Sequence, residues 1–271
     1  MADIHQLIPM LKRLRLSGFL DSLDLRNRQA IEQQVTHIDF LALLVQDEVA
    51  RRDSKSLALK LRRGSIRTDK TLESFDFGAN PTLNRHQIFD LAACQFIEDR
   101  DNVLMCGPTG VGKSHLATAI GHEACRRGYD VLSGTTTRIL DSLRAARGDG
   151  TYDRRMANLL RADLLILDDF GLKPLRAPAD EDFHDLISER YERGSILLTS
   201  NLDFSEWGSV FPNRLLGCAT VDRLRHNAHR VVIEGDSFRS PRPTSITSKR
   251  GSSKGSEKRS STDLELAESK G

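Results

Sequence analysis

The sequence predicts an α/β fold: a three-layer domain built on a five-stranded parallel sheet over residues 73–239, a small all-helical domain at 1–72, and a disordered tail at 240–271. Three observations carry this reading. From residue 102 onward, short aliphatic runs alternate with segments of helical periodicity, and near-continuous apolar strands of that kind belong in a sheet covered on both faces. Before residue 72 the apolar residues recur instead at three- to four-residue spacing, the mark of amphipathic helices. After residue 238 large apolar side chains almost vanish, and residues 240–262 hold eight serines, a composition that cannot bury enough surface to fold.

Along the chain, Leu7, Leu11, Leu14, Phe19, Leu20 and Leu23 form a first helical run, and Phe40, Leu41, Leu44, Val45 and Val49 form a second. Thr36 to Asp39, "THID", has the spacing of a capping box and should start the second run. The strands are NVLMC at 102–106, DVLSG at 130–134, DLLILDDF at 163–170, SILLTSN at 195–201 and RVVIEG at 230–235. Between them, helices are expected near 113–127, 137–147, 153–161 and 180–193.

Composition narrows the function classes. At 271 residues and 38% hydrophobic content the chain can build a sizeable core. It has no apolar run near the length of a membrane span and no signal-type N-terminus, so a cytoplasmic protein without a membrane partner is expected. The four cysteines form no C-x-x-C pair, and His226 and His229 have no cysteines near them, so free thiols and packing roles are expected rather than a metal cluster. The net charge of +2 is uneven: residues 1–72 sum to +4, 73–238 to −6 and 239–271 to +4. Residues 51–70 carry eight Lys or Arg against two Asp, the density found where nucleic-acid phosphates are neutralised. Arg51, Arg52, Lys55, Lys60, Arg62 and Arg63 are the candidate DNA contacts, with a solvated helix face as the alternative.

The stretch "GPTGVGKS" satisfies every defined position of G-x-x-x-x-G-K-[ST], after a strand and at the start of a helix. It is the signature of a P-loop NTPase. Gly107, Gly110 and Gly112 let backbone N–H groups converge on an anion, and the helix adds its positive end. The nucleotide contacts would run from Gly107 through Pro108, Thr109, Gly110, Val111, Gly112, Lys113 and Ser114 to His115. Lys113 would reach the β- and γ-phosphates of ATP and Ser114 would ligate Mg²⁺. The run "DLLILDDF" ends in Asp168, expected in the Mg²⁺ shell, and Asp169, expected to orient or deprotonate the attacking water. Asn201, at the end of "SILLTSN", is the candidate sensor of the γ-phosphate. A small-molecule kinase would need an acceptor pocket and a lid, whereas this chain carries a pair of water-activating carboxylates.

The order of P-loop, "LLILDD", "LLTSN" and an arginine-bearing segment resembles the AAA+ ATPases. More narrowly, "ESFDF", "GPTGVGKSHLATAIG", "LLILDDFG", "ILLTSN" and "VDRLRHNAHRVVIEGDSFR" resemble the IstB-like helpers of insertion-sequence transposition, whose relatives are the replicative helicase loaders. That resemblance implies an AAA+ core hydrolysing ATP to ADP and phosphate, a homo-oligomer with nucleotide sites at subunit interfaces, assembly on double-stranded DNA, and a partner transposase. A replicative helicase loader is the alternative. By position, Arg223 in "VDRLRH" resembles the arginine finger reaching the neighbouring site, with Arg214 as its competitor. The usual C-terminal lid is not expected, because the residues after Phe238 are few and polar.

Overall fold

The computed structural model describes residues 4–81, 83–235 and 237. The described residues belong to a compact unit spanning 1–239; the tail expected at 240–271 lies outside them. Three helices come first: α1 (Ile4–Arg13), α2 (Ser17–Glu32) and α3 (His37–Arg63). The first apolar run is therefore two helices, not one. The break falls where Arg15 takes a left-handed φ of 57°. Thr36 starts α3 as expected, its hydroxyl oxygen accepting the Asp39 amide at 3.2 Å.

Helices α2 and α3 are clasped at two points. At the start of α2 the Gly18 amide, which no intrahelical carbonyl can meet, donates to Glu48 Oε2 of α3 at 2.6 Å. Near the other end Arg26 grips Asp47 through two bonds of 2.8 and 2.7 Å and, with Ser22, holds its carboxyl down to about 2. The crossing is so tight that a Cβ on Gly18 would lie 2.6 Å from the Glu48 Cα. The last turn of α3 is anchored elsewhere. Leu61 joins the core beneath the sheet, and the Gly64 carbonyl accepts the Ser133 amide at 2.9 Å.

The second part contains α4 (Arg85–Ala92), α5 (Gln95–Glu98), β1 (Asn102–Cys106), α6 (Lys113–Arg126), β2 (Val131–Thr135), α7 (Thr136–Gly148) and α8 (Tyr152–Arg161). It continues through β3 (Leu164–Phe170), α9 (Ala179–Arg190), β4 (Ser195–Ser200), α10 (Arg214–Arg225) and β5 (Ala228–Val232). All strand pairs are parallel, in the order β2-β3-β4-β1-β5. The five expected strands and four expected helices are present within a few residues. Helices α4, α5 and α10 were not anticipated.

Side chains alternate across the sheet, as strand geometry requires. Val103, Met105, Ile166 and Leu197 face one core with α4 and α6. Leu104, Cys106, Leu167 and Leu198 face the other with α7, α9 and α10. Arg190 is 1% exposed. Its guanidinium donates to the carbonyls of Leu159, Ala162 and Ser195 at 2.8–2.9 Å, and burial pushes it down to about 10.

Gly18→Ala should overpack the α2–α3 crossing and lower unfolding free energy by about 1–3 kcal/mol, measured by denaturant titration.

Candidate functional site

The glycine-rich loop follows β1 and runs into α6. Gly107 has φ 154°, and a Cβ there would meet the Ile233 carbonyl oxygen at 2.1 Å. Gly112 caps α6 at φ 97° with no side-chain cap, so the first-turn amides of α6 have no side-chain acceptor supplied by the cap residue. Lys113 is 5% exposed and donates to the carbonyls of Gly107 and Pro108 at 2.7 and 2.6 Å. The Ser114 hydroxyl donates to Asp168 Oδ1 at 2.9 Å.

Asp168 sits at the C-terminal end of β3, and a second hydroxyl, Thr199 Oγ1 on neighbouring β4, donates to the same carboxylate oxygen. Thr199 is fully buried and also accepts the Asp169 amide at 3.0 Å. The β3–β4 register shifts between Leu167 and Phe170, and Asp169 takes φ 56°. In a regular strand adjacent side chains point to opposite faces. The bulge allows Asp168 to meet Ser114 while Asp169 lines the cleft in front of the loop.

That cleft has a volume of about 450 Å³. Thr109, Gly110, Gly112, Lys113, Ser114, His115, Asp169 and Asn201 all line it, so the candidate sensor and the candidate base share one space. Gly107, Pro108 and Val111 do not line it; Val111 is a fully buried core residue. The other wall comes from Lys70, Ser74, Phe75 and Asp76, in the connection after α3. His115 fastens this connection to α6: its Nε2 lies 3.0 Å from the Thr71 carbonyl and 3.2 Å from the Ser74 hydroxyl, and its ring meets Phe75 edge-on at 5.3 Å. Sequence reasoning missed Thr199 and this wall. Thr199 was visible only as one of three polar residues ending a strand, and the wall only as "ESFDF", a motif of the family resemblance that nothing in its spacing assigns to the cleft.

An uncapped helix N-terminus, a buried lysine and a hydroxyl–carboxylate pair make a donor set that fits nucleotide phosphates with a divalent cation. Arg223 is not part of this cleft. It lies in the last turn of α10, donating to the Ala219 carbonyl at 3.1 Å. The next residue's carbonyl accepts from Asn102 at the start of β1, one strand length, about 13 Å, from the loop at its end. Arg214 opens the same helix and is exposed.

Of the six basic candidates on α3, Arg51, Lys55 and Arg62 share one face, with Arg52 and Arg63 flanking it. Arg51 pairs with exposed Asp21 at 2.9 Å and Arg52 with Glu48 at 2.6 Å. Lys60 turns away from that stripe and pairs with Asp130 at 2.5 Å. It is thus a tether to the start of β2 as well as a charge.

Comparison with known proteins agrees with this geometry. A family model described as IstB-like ATP binding protein matches residues 9–245. The chain is 38% identical to a putative insertion-sequence ATP-binding protein of Mycobacterium tuberculosis, over 84% of this chain and 92% of that one. It is 34% identical to the putative ATP-binding protein of insertion sequence IS21 from Pseudomonas aeruginosa, over 87% and 89%. Among solved structures, the DnaC helicase loader matches with TM-score 0.54 and 22% identity, over 61% of this chain and 97% of that one. AMPPCP-bound DnaA from Aquifex aeolicus matches with TM-score 0.52 and 24% identity, over 63% and 52%. These structural likenesses concern the fold, which is the AAA+ P-loop core.

Lys113→Ala should weaken nucleotide binding by about 10- to 100-fold, the worth of a charge-assisted hydrogen bond, in a fluorescent-nucleotide titration. Thr199→Val leaves half-buried Asp168 short of a donor and should cost about 0.5–1.5 kcal/mol of stability, whereas Thr199→Ser should restore most of it.

Proposed function

The chain belongs to the IstB-like ATP-binding proteins of insertion sequences, and from that premise we propose that it is a cytoplasmic, Mg²⁺-dependent ATPase that assembles on duplex DNA to serve a partner transposase. In this reading the nucleotide acts as a timer on assembly. The loop amides and Lys113 bind the β- and γ-phosphates, and Ser114 and Asp168 hold Mg²⁺. When bound, that ion neutralises charge on the phosphate oxygens. Asp169 orients a water and takes its proton. Asn201 contacts the same water or the γ-phosphate and so distinguishes ATP from ADP.

One observation carries the oligomeric part. Lys113, Ser114, Asp168, Asp169 and Asn201 gather at the C-terminal end of the sheet, while Arg223 is held near the start of β1 by the α10–Asn102 contact. That position, away from the chain's own loop, supports a finger that acts on the nucleotide site of a neighbouring copy. The helical domain at 1–72, with the basic stripe of α3, is the proposed DNA- and partner-binding module. Nonspecific phosphate contacts from Arg51, Arg52, Lys55, Arg62 and Arg63 suit a protein that loads onto many sequences.

Arg223→Ala should leave nucleotide affinity of the isolated chain unchanged and lower steady-state hydrolysis by about 10³- to 10⁵-fold, read as phosphate release with DNA present. If Arg214→Ala gave that loss instead, the role would pass to Arg214. Asp169→Asn should keep ATP binding, stop turnover and lengthen the lifetime of the DNA-bound oligomer in gel shifts. Pull-downs should retain a transposase of the insertion-sequence type; retention of a replicative helicase alone would make it a helicase loader.

A further inference from the structure

A second concentration of cationic side chains lies where α8 ends against β3. Helix α8 packs Tyr152, Met156, Leu159 and Leu160 into the core. Arg154, Asn158 and Arg161, at i, i+4 and i+7, share its exposed face. A trough of about 540 Å³ follows that face, lined by these three with Arg155 and by no carboxylate. A smaller cleft of about 200 Å³ shares Asn158 and Arg161 with it and continues to Arg63 and Lys60 of α3. The carboxylate there, Asp130, is engaged by Lys60. Among the described residues, Arg63, Arg154 and Arg161 form no ion pair.

Arg155 donates to the Ser142 hydroxyl of α7 at 3.0 Å, but the fold does not require the charges of Arg154 and Arg161. Arg154 and Arg155 stand near the start of α8, where the positive end of the helix disfavours cations. At the other end, the carbonyls of Leu159, Leu160 and Ala162 that a basic residue could cap are already met from inside by Arg190. Arginines exposed along an open trough, surplus to both helix ends, are suited to a ligand that carries regularly spaced anions.

We propose that this trough is a second phosphate-binding track for duplex DNA, continuous through Arg63 with the basic stripe of α3. The proposal rests on the DNA-binding reading above and extends the path from the helical domain onto the ATPase core. Arg154 and Arg161 are separated by about 10 Å along α8, close to three nucleotide steps at about 3.4 Å per step on one strand. Their planar forks suit phosphate oxygens. Asn158 between them can hydrogen-bond the backbone without adding charge.

The test is duplex binding by the full chain with ATP, measured across a salt series. Arg154→Gln/Arg161→Gln keeps residues compatible with a helix and removes two charges. It should reduce the slope of log affinity against log salt by about 2 while leaving ATP affinity unchanged. Arg154→Lys/Arg161→Lys should keep the wild-type slope, and equal losses in both variants would overturn the proposal. Lys55→Gln/Arg62→Gln, run alongside, separates the two levels. A lowered slope in that variant with an unchanged slope in the α8 variant would overturn the trough alone. Absence of duplex binding by the wild-type chain would overturn the DNA-binding reading beneath it.

Discussion

The carboxylate of Asp168 is the point on which the nucleotide cleft depends. One of its oxygens accepts hydroxyl donors from Ser114, in the first turn after the glycine-rich loop, and from Thr199, at the end of β4. The strand order inserts β4 between β1 and β3, so the loop strand and the acidic strand are not neighbours and a residue of the intervening strand must complete their connection. Thr199 does so with no exposure to solvent. The same hydroxyl oxygen accepts the Asp169 amide and so supports the bulge that lets consecutive aspartates do different things. The half-buried carboxylate, hydrogen-bonded from two separate elements, ties the start of α6 to the ends of β3 and β4.

The N-terminal helices are not hung loosely from this core. The Lys60–Asp130 pair, the Gly64–Ser133 backbone bond and burial of Leu61 fix the last turn of α3 to β2 and α6. The chain then passes through Thr71, Ser74 and Phe75, where His115 holds it to α6 immediately after the phosphate-binding loop. The basic helix and the nucleotide cleft are therefore joined by a short, hydrogen-bonded connection.

Much of the fold was legible in the sequence because strand and helix periods report burial directly. The continuous apolar run 164–167 had to be a strand buried on both faces, and it is. Helix α10 was hidden because two of its four buried positions, Gly217 and Thr220, are not large apolar side chains, so the stripe they form with Val221 and Leu224 gives little hydrophobic signal. The first apolar run concealed the break at Arg15 because apolar spacing does not register a turn: Leu7 and Leu14 before it are exposed, whereas Leu23 after it is buried.

The sequence by itself determined the local chemistry: which loop can bend around an anion, which lysine and serine follow it, which strand ends in two acids, and where positive charge accumulates. Those properties depend on neighbours in the chain, and spacing along the chain encodes them. Tertiary structure alone decided which distant groups meet. It made Thr199 the partner of Asp168, turned Asp169 into the cleft through a register shift, bent Lys60 away from the other α3 cations to Asp130, and held Arg223 a strand length from the loop. None of these follows from spacing, because each depends on strand order and on side-chain direction across the sheet, which the chain fixes only when it packs.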